Sequence, residues 1–306
     1  MTPTRQGSIR LLRIAGIDLF LHWSWFIVAF LEIKWRAGNY SSIIWNVLEY
    51  LSLFFIVMLH EFGHALACRQ VGGTANQIVL WPLGGVAYVS PPQRPGPMLW
   101  SIAAGPLVNV VLFPIFGGLV LLAQFLGWPE ELRDAYRLIV SVWGLNGLLL
   151  IFNLLPVYPL DGGQILRSLL WFVVGRARSL MAAAIVGFVG VAAMIGLALW
   201  IRDPWLVVMS VFILVNCWGG LMQARALARM ARLPRLAGFA CPSCHTGPPA
   251  GELWVCGQCR ARFNTFAALG VCPQCGEQFP ITQCFDCGAS HPMPDWVQAP
   301  PPWPGA

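Results

Sequence analysis

The chain has 306 residues, of which 57% are hydrophobic and only 10% are charged. This balance excludes an ordinary soluble domain and indicates a membrane protein, because several apolar runs of about 20 residues are long enough to cross the hydrocarbon core. The formal net charge of +6 comes without any block of five like charges, so we interpret it as a determinant of membrane topology and not as a nucleic-acid-binding arm.

Hydropathy predicts an all-α polytopic membrane protein with about six spanning helices, at residues 17–34, 43–69, 98–126, 136–155, 178–200 and 204–228. The segment before the first helix has some β character and is a candidate strand. Residues 72–90 are too short and too rich in glycine and proline for a spanning helix. Their alternation predicts a strand pair or hairpin, which at membrane depth must be covered by protein or line a polar cavity.

The distribution of lysine and arginine predicts the orientation. With the N-terminus in the cytosol, six spans place twelve of the lysines and arginines before residue 240 on the cytosolic side and five on the opposite side. Positive residues concentrate on the cytosolic side of membrane proteins. We therefore expect both termini in the cytosol, with an uncleaved first helix, since no signal-peptide cleavage site follows the first apolar run.

The sequence LFFIVMLHEFGHALAC, at residues 53–68, places three ionisable side chains within an apolar run. Such groups are costly at membrane depth and are functional as a rule. His60 and His64 are four residues apart, so one helical face presents both imidazoles to a single metal ion. Glu61 lies beside them, where it can accept a proton from an attacking water, as in zinc peptidases. The alternative is that these are three core residues of a soluble helix. The apolar sequence around them argues against it.

A catalytic zinc needs a third protein ligand, and Asp161 is the leading candidate. It follows NLLPVYPL, where prolines break the fourth predicted helix, and it precedes Gly162 and Gly163. On local sequence alone, Asp161 could equally be the N-cap of a helix predicted over residues 163–174. The broken backbone favours a ligand, because such breaks at membrane depth occur where they line a wet cavity.

Two motifs in separate predicted helices, HEFGH and NLLPVYPLDGG, resemble the site-2 protease family of intramembrane zinc metalloproteases. The resemblance covers roughly residues 8–225 and includes three further segments, LHWSWFI, WPLGGVA and GPLVN. Asn109, at the end of GPLVN, is interpreted as an interhelical packing residue next to the site.

This resemblance implies that His60, His64 and Asp161 bind one catalytic zinc. It implies that Glu61 is the general base and that Asn153 helps to hold the scissile carbonyl or its oxyanion. The implied activity is hydrolysis of a peptide bond in or near the transmembrane helix of another membrane protein. The strand pair at residues 72–90 would offer its edge to an extended substrate.

Eight of the ten cysteines follow residue 240 and form four Cys-x-x-Cys pairs, which are Cys241/Cys244, Cys256/Cys259, Cys272/Cys275 and Cys284/Cys287. This spacing predicts two structural zinc sites of four cysteines each, and the region resembles a double zinc ribbon. Pairing the first with the second and the third with the fourth is the simplest arrangement, and the sequence leaves the other pairings open. Thiolate ligands require a reducing compartment, in agreement with a cytosolic C-terminus.

We therefore expect a membrane-embedded zinc metalloprotease domain over residues 1–230, a linker over 231–240, a double zinc ribbon over 241–291 and a Pro-rich disordered end over 292–306. The expected partners are the lipid bilayer, a membrane-protein substrate and a protein that binds the tail. Nucleic acid is not expected, because the tail beyond the linker has only Arg260 and Arg262 as basic residues.

The alternative function is that of a non-enzymatic membrane adaptor that displays the zinc ribbon. The intact HEFGH motif, together with Asp161, favours the enzyme, since an adaptor would be free to lose any of these residues.

Overall fold

The computed structural model describes residues 7–36, 38–81 and 84–298. The helices within these ranges are α1 (Ser24–Trp35), α2 (Ile43–Gln70), α3 (Pro95–Phe125), α4 (Trp128–Glu131), α5 (Arg133–Leu154), α6 (Asp161–Val174), α7 (Arg176–Ile201) and α8 (Pro204–Ala231). The strands are β1 (Ser8–Ile14), β2 (Ile17–His22), β3 (Thr74–Trp81), β4 (Gly84–Ser90), β5 (Trp254–Val255), β6 (Arg262–Phe263), β7 (Ile281–Gln283) and β8 (Ser290–Pro292).

Five of the described helices are long and apolar enough to cross a membrane, namely α2, α3, α5, α7 and α8. The protein is therefore an integral membrane protein, and the predicted fold class is confirmed. The remaining predicted span, the first one along the chain at residues 17–34, is wrong in its first part. Residues Ile17–His22 form β2, and α1 that follows has 12 residues, which is about 18 Å of helix.

The reason for this error lies in the composition of β2. Its residues Ile17, Leu19 and Leu21 are buried on one face of a sheet, so the strand is nearly as apolar as the helix that follows it. A hydropathy window therefore merges the buried strand and the short helix into one run of spanning length.

Strands β1 to β4 form one sheet in that order, in which β2 and β3 are parallel and the other two pairs are antiparallel. The strand pair predicted within residues 72–90 is confirmed as β3 and β4, although Pro82 and Leu83 at its tip lie outside the described residues. One face of the sheet packs on α2, where Ile78 and Leu80 join Phe62 and Ala65 in a single core. Each large apolar side chain buried there contributes about 1.5–3 kcal/mol, which fixes the sheet against the helix that carries HEFGH.

Helix α3 crosses α2 closely and also packs against α5 and α6. The close approach needs glycine on both helices. A Cβ at Gly63 would lie 2.7 Å from the carbonyl oxygen of Ala104, and one at Gly105 would lie 2.2 Å from Nε2 of His64. The small residues of GPLVN thus bring α3 directly over the two histidines.

Polar contacts join the start of α2 to the start of α5 at the end of the bundle away from the sheet. The backbone N–H and the hydroxyl of Ser41 both donate to Asp134, and Arg137 donates to the carbonyl oxygen of Asn39 at 2.7 Å. The sheet lies beside the C-terminal half of α2, so α1 and the segment that follows it lead from the sheet end of the bundle to this opposite end.

The C-terminal part contains two small antiparallel pairs, β5 with β6 and β7 with β8. The prediction of disorder is wrong for residues 292–298. Strand β8 is followed by a 3₁₀ turn at Met293–Trp296, and Trp296 is only 1% exposed. The predicted linker is also partly ordered, since Arg235 bridges to Pro249 and Phe239 bridges to Val297. The ring of Trp296 is buried in a core with Phe266 and Met293. Proline content alone cannot predict such a contact between distant segments.

Candidate metal centres

Three side chains from two helices that are distant in sequence meet inside the helical bundle. We call them the membrane site. His60 and His64 lie one turn apart on α2, and Asp161 is the first residue of α6. The Nε2 atoms of the two histidines are 3.1 Å apart, and Oδ2 of Asp161 lies 3.0 Å from the first and 3.4 Å from the second. The structure therefore brings together the three ligands that the sequence predicted.

The other ring nitrogens of these histidines have partners that fix the tautomers. Nδ1 of His64 lies 2.9 Å from the carbonyl oxygen of Ser101, which can only accept, so this nitrogen carries the proton. Nδ1 of His60 lies 2.6 Å from Oδ1 of Asn109. The amide of Asn109 is oriented in turn by Asn146, which accepts from Asn109 Nδ2 at 2.8 Å and donates to the Asn109 backbone oxygen at 3.0 Å.

In the neutral rings, both Nε2 atoms are therefore unprotonated, and each directs a lone pair toward the other and toward the carboxylate of Asp161. Three acceptors at 3.0–3.4 Å from one another repel unless a cation lies between them. Tetrahedral ligands at about 2.0–2.1 Å from zinc are about 3.4 Å apart. The donor set, its spacing and the second hydrogen bond of each imidazole therefore fit a zinc ion.

Asp161 does not act as a helix cap in this structure. The N-cap position of α6 is Leu160, and no side chain caps that helix end. The glycines after Asp161 explain the sharp entry into the helix, since a Cβ at Gly162 would lie 2.3 Å from the carbonyl oxygen of Leu154. The tight packing of α6 against the broken end of α5 carries Asp161 to the histidines.

Glu61 is buried and contacts the hairpin. Its Oε2 atom accepts a hydrogen bond of 2.9 Å from the backbone N–H of Ala87 in β4, and a Cβ at Gly85 would lie 2.2 Å from the Glu61 side chain. Ala87 stands opposite Ile78 of β3 in the register. Because β4 is the last strand of the sheet, the carboxylate sits at the sheet's edge, beside the membrane site.

Two other polar residues of the sequence motifs, Asn153 and the histidine of LHWSWFI, lie outside the cluster. Asn153 is half-buried near the end of α5, and its side chain makes no hydrogen bond with a described residue. His22 lies 2.5 Å from the hydroxyl of Ser24 through Nδ1 and stacks on Trp81 with ring centroids 4.3 Å apart. Its surroundings indicate a packed histidine of the sheet.

Asn146 was missed by the sequence reading, and Asn109 was interpreted only as a packing residue. Both side chains are completely buried and belong to the support of His60. A signal was available, because a lone asparagine in the apolar run VWGLNGLLLIF needs an interhelical partner. Nothing in the sequence says, however, that the partner is the asparagine of GPLVN.

Comparison with known protein families agrees with this geometry. Peptidase family M50 matches residues 116–197, and the M50B-like peptidases match residues 26–132. The first match includes Asp161 and the second includes both histidines. Together the two models match residues 26–197, so this part of the chain resembles peptidase family M50. These matches confirm the resemblance to the site-2 proteases.

Relatives of this chain include proteins of archaea and bacteria. A protein named zinc metalloprotease in Methanocaldococcus jannaschii is 37% identical over 182 residues, which cover 59% of this chain and 50% of that protein. A putative zinc metalloprotease of Mycobacterium tuberculosis is 31% identical over 210 residues, covering 63% and 52%. The chain thus spans about half the length of these curated relatives. The solved structure of a site-2 protease from Methanocaldococcus jannaschii also matches, with a TM-score of 0.48 and 29% identity over 70% of this chain and 95% of that one.

The tail of the chain gathers its eight cysteines into two clusters. We call them the outer site, formed by Cys241, Cys244, Cys284 and Cys287, and the inner site, formed by Cys256, Cys259, Cys272 and Cys275. The closest sulfur–sulfur distances are 3.6 and 3.8 Å in the outer site and 3.5 and 3.6 Å in the inner site. Four sulfurs at about 2.3 Å from zinc in a tetrahedron are about 3.8 Å apart, so both clusters fit a zinc ion.

The simplest predicted pairing of the cysteines is wrong. The first pair joins the fourth and the second joins the third, so the inner site is nested within the loop that the outer site closes. The physical reason is that the two ends of the module are held together, as the bridge between Phe239 and Val297 and the buried Trp296 show. Spacing alone gives no information on such long-range closure.

Proposed function

We propose that this chain is an intramembrane zinc metalloprotease that hydrolyses a peptide bond in or near the transmembrane helix of a membrane-protein substrate. One observation carries the proposal above all. His60, His64 and Asp161 direct unprotonated donor atoms at one point inside a membrane bundle, and Glu61 is buried beside them. The matches to M50 family models and the names of the relatives support the same chemistry.

The donor set of the membrane site suits one catalytic zinc, which supplies Lewis-acid polarisation of a carbonyl and lowers the pKa of water to about 7. Asn109 and Ser101 hold the ring proton on Nδ1 of each imidazole, which leaves Nε2 as the atom that would bind the metal. The cysteine sites of the tail suit two structural zinc ions. The stoichiometry we propose is therefore one catalytic and two structural zinc ions.

Glu61 is the proposed general base. Its Oε2 atom is held by the N–H of Ala87, which leaves Oε1 to accept the proton of the attacking water and to pass it to the leaving amine. Asn153 is the proposed donor to the developing oxyanion. Its half-buried side chain, without a hydrogen bond to a described residue, is available for a substrate carbonyl.

The edge of β4 is the proposed binding surface for the substrate backbone. A transmembrane helix hides its carbonyl groups in internal hydrogen bonds, so the scissile segment must unwind before it can be hydrolysed. An extended segment could then add to β4, the last strand of the sheet. The contact between Ala87 and Glu61 would place this segment directly beside the base.

We also propose that both termini lie in the cytosol. Strands β1 and β2 share a sheet with β3 and β4, and the tail contacts the start of α7 at the same end of the bundle as that sheet. The twelve-to-five distribution of lysine and arginine assigns that end to the cytosol. A topology map with thiol-reactive probes or reporter fusions tests this orientation.

The direct test of the function compares membrane-protein fragments, by proteomics, in cells that contain wild-type protein or Glu61→Gln. The exposed Glu130 offers a matched control, Glu130→Gln. We expect fragments that depend on the wild-type protein to persist with the control and to disappear with Glu61→Gln. Identical fragment profiles in all three cells would favour the adaptor function.

A further inference from the structure

Among the described residues, the hydrogen bonds that join the tail to the membrane bundle come from one short segment of the outer site. Arg176, the first residue of α7, donates from Nη1 to the carbonyl oxygens of Phe285 and Asp286 at 3.1 and 3.4 Å. From Nη2 it donates to the side chain of Gln93 at 2.8 Å. Phe285 and Asp286 lie between two metal ligands, Cys284 and Cys287, so the docked segment is itself part of a metal site. We call residues 284–288 the docking knuckle.

A second arginine holds the docking knuckle from the tail side. Arg235 pairs with both carboxylate oxygens of Asp286, at 2.7 and 3.1 Å, and donates to the carbonyl oxygen of Gly247. Gly288 fits closely against Gln93, since a Cβ there would lie 2.7 Å from Cγ of Gln93. The position of the docking knuckle is therefore defined both by the membrane domain and by the tail.

Apart from the contact of Gly288 with Gln93, docking depends on polar contacts more than on apolar packing. A cavity of about 290 Å³ lies between the docking knuckle, the turn that joins α6 to α7 and the end of α8. Apolar side chains such as Leu227 and Met230 line it. The contacts of Arg176 are made to backbone carbonyls, so they require the folded shape of the docking knuckle. That shape is a tight turn in which Gly288 donates to the carbonyl of Cys284 at 2.9 Å.

The inner site lacks such a contact. No hydrogen bond or ion pair joins residues 256–275 to the described membrane helices, and the polar partners of this segment lie within the tail, for example Gln274 beside Cys259 and Pro249 beside Asn264. The two cysteine sites have the same chemistry but differ in position, because the outer one alone faces the membrane domain.

The docking point is linked to the membrane site by a single helix. Helix α6 begins at Asp161 and ends one residue before Gly175, and Arg176 follows directly. The carboxylate and the docking point are thus at opposite ends of 14 residues of helix, about 21 Å long. A restraint at the turn between α6 and α7 restrains the helix that positions Asp161.

We propose that the outer site is a metal-dependent clamp on the turn between α6 and α7. With metal bound, the docking knuckle keeps the shape that Arg176 recognises and holds α6 in place. Without metal, the docking knuckle loses that shape, the turn is released, and the position of Asp161 is no longer restrained from this end. The consequence for proteolysis rests on the proposed function, whereas the docking itself does not.

The test is hydrogen–deuterium exchange of the purified full-length protein, loaded with zinc, in peptides that cover residues 174–180. Arg176→Gln leaves every cysteine in place, so zinc content should remain at the wild-type value while exchange at this turn accelerates about tenfold, as expected for local opening. Arg178→Gln is the matched control, because this neighbouring arginine is exposed and makes no hydrogen bond or ion pair with a described residue. Wild-type exchange in Arg176→Gln would overturn the clamp.

The two cysteine sites provide a second, independent contrast. Cys287→Ser in the outer site should accelerate exchange at residues 174–180, and Cys275→Ser in the inner site should leave it near wild type, with zinc content measured for both. Equal acceleration by the two variants would contradict the assignment to the outer site. These measurements need no substrate, so they separate the clamp from the protease: an unchanged turn refutes the clamp, and unchanged fragments with Glu61→Gln refute the proposed function.

Discussion

The membrane site and the two cysteine sites each gather metal ligands, but they are surrounded by different amounts of folded structure. His60 and His64 project from a 28-residue helix that packs against a sheet. In the tail, by contrast, Cys241 and Cys284 are themselves members of one small core, and Cys256 and Cys272 belong to another. We therefore expect the bundle to keep its fold without metal, whereas the tail should need metal to fold.

The largest expected effect is the response to metal removal. A strong chelator added to the full-length protein should abolish exchange protection over residues 240–298 and leave the peptides of α2 and α3 protected. Structural zinc supplies on the order of 10 kcal/mol per site, more than a core of this size provides alone. A tail that keeps its protection after its metal is stripped would remove the contrast between the two regions.

The next effect concerns Asp161 as a metal ligand. Asp161→Asn removes the charged donor that faces both histidines, so zinc affinity and proteolysis should fall together. We expect a loss larger than the roughly 10–100-fold typical of an outer-shell partner. Competition with a chromogenic chelator measures the affinity, and Asp295→Asn in the tail is the control. Near wild-type affinity would contradict the assignment of Asp161 as a metal ligand.

A smaller effect is expected from the support of His60. Asn146→Ala releases the amide of Asn109 that receives the Nδ1 proton of His60, so the tautomer is no longer fixed. We predict a loss of about 10–100-fold in zinc affinity at the membrane site, with the cysteine sites unaffected. Asn216→Ala is the matched control, because Asn216 donates only to its own helix, at Phe212. If both variants bind zinc equally well, the role of Asn146 is limited to packing.

The smallest effect separates the carboxylate of Asp286 from its backbone. The ion pair with Arg235 is about one-third exposed, and such pairs contribute about 0–1 kcal/mol. Asp286→Asn should therefore leave exchange at residues 174–180 close to wild type, whereas Arg176→Gln should not. A change as large as that of Arg176→Gln would show that the charge, and not the backbone, docks the tail.

The sequence predicted the chemistry of the membrane site because that chemistry is local. A spacing of four residues on a helix places His60 and His64 together, and a proline-broken segment ahead of Asp161 marks where the backbone opens. What it could not predict was decided by contacts between distant segments. The nested pairing of the cysteines, the pair formed by Asn109 and Asn146, and the ordered residues 292–298 all depend on such contacts.

The error at the first helix has a different origin. Strand β2 is buried by α2 and by the sheet, and a strand buried in this way has the same hydropathy as a membrane span. Only its pairing with β3, from Asp18 opposite Gln77 to Leu21 opposite Leu80, distinguishes the two. Helix α1 is therefore shorter than predicted. The chain nevertheless reaches the end of the bundle away from the sheet before α2 begins, as the prediction of six crossings requires.

The most direct test of the central claim measures zinc and cleavage in one preparation of Glu61→Gln. Glu61 contacts Ala87 and is not one of the three clustered ligands, so the variant should retain the zinc content of the wild type. Removal of a general base lowers the rate by about 10²–10⁴-fold, so cleavage of a membrane substrate should be lost. Full cleavage by a zinc-loaded Glu61→Gln protein would contradict the account.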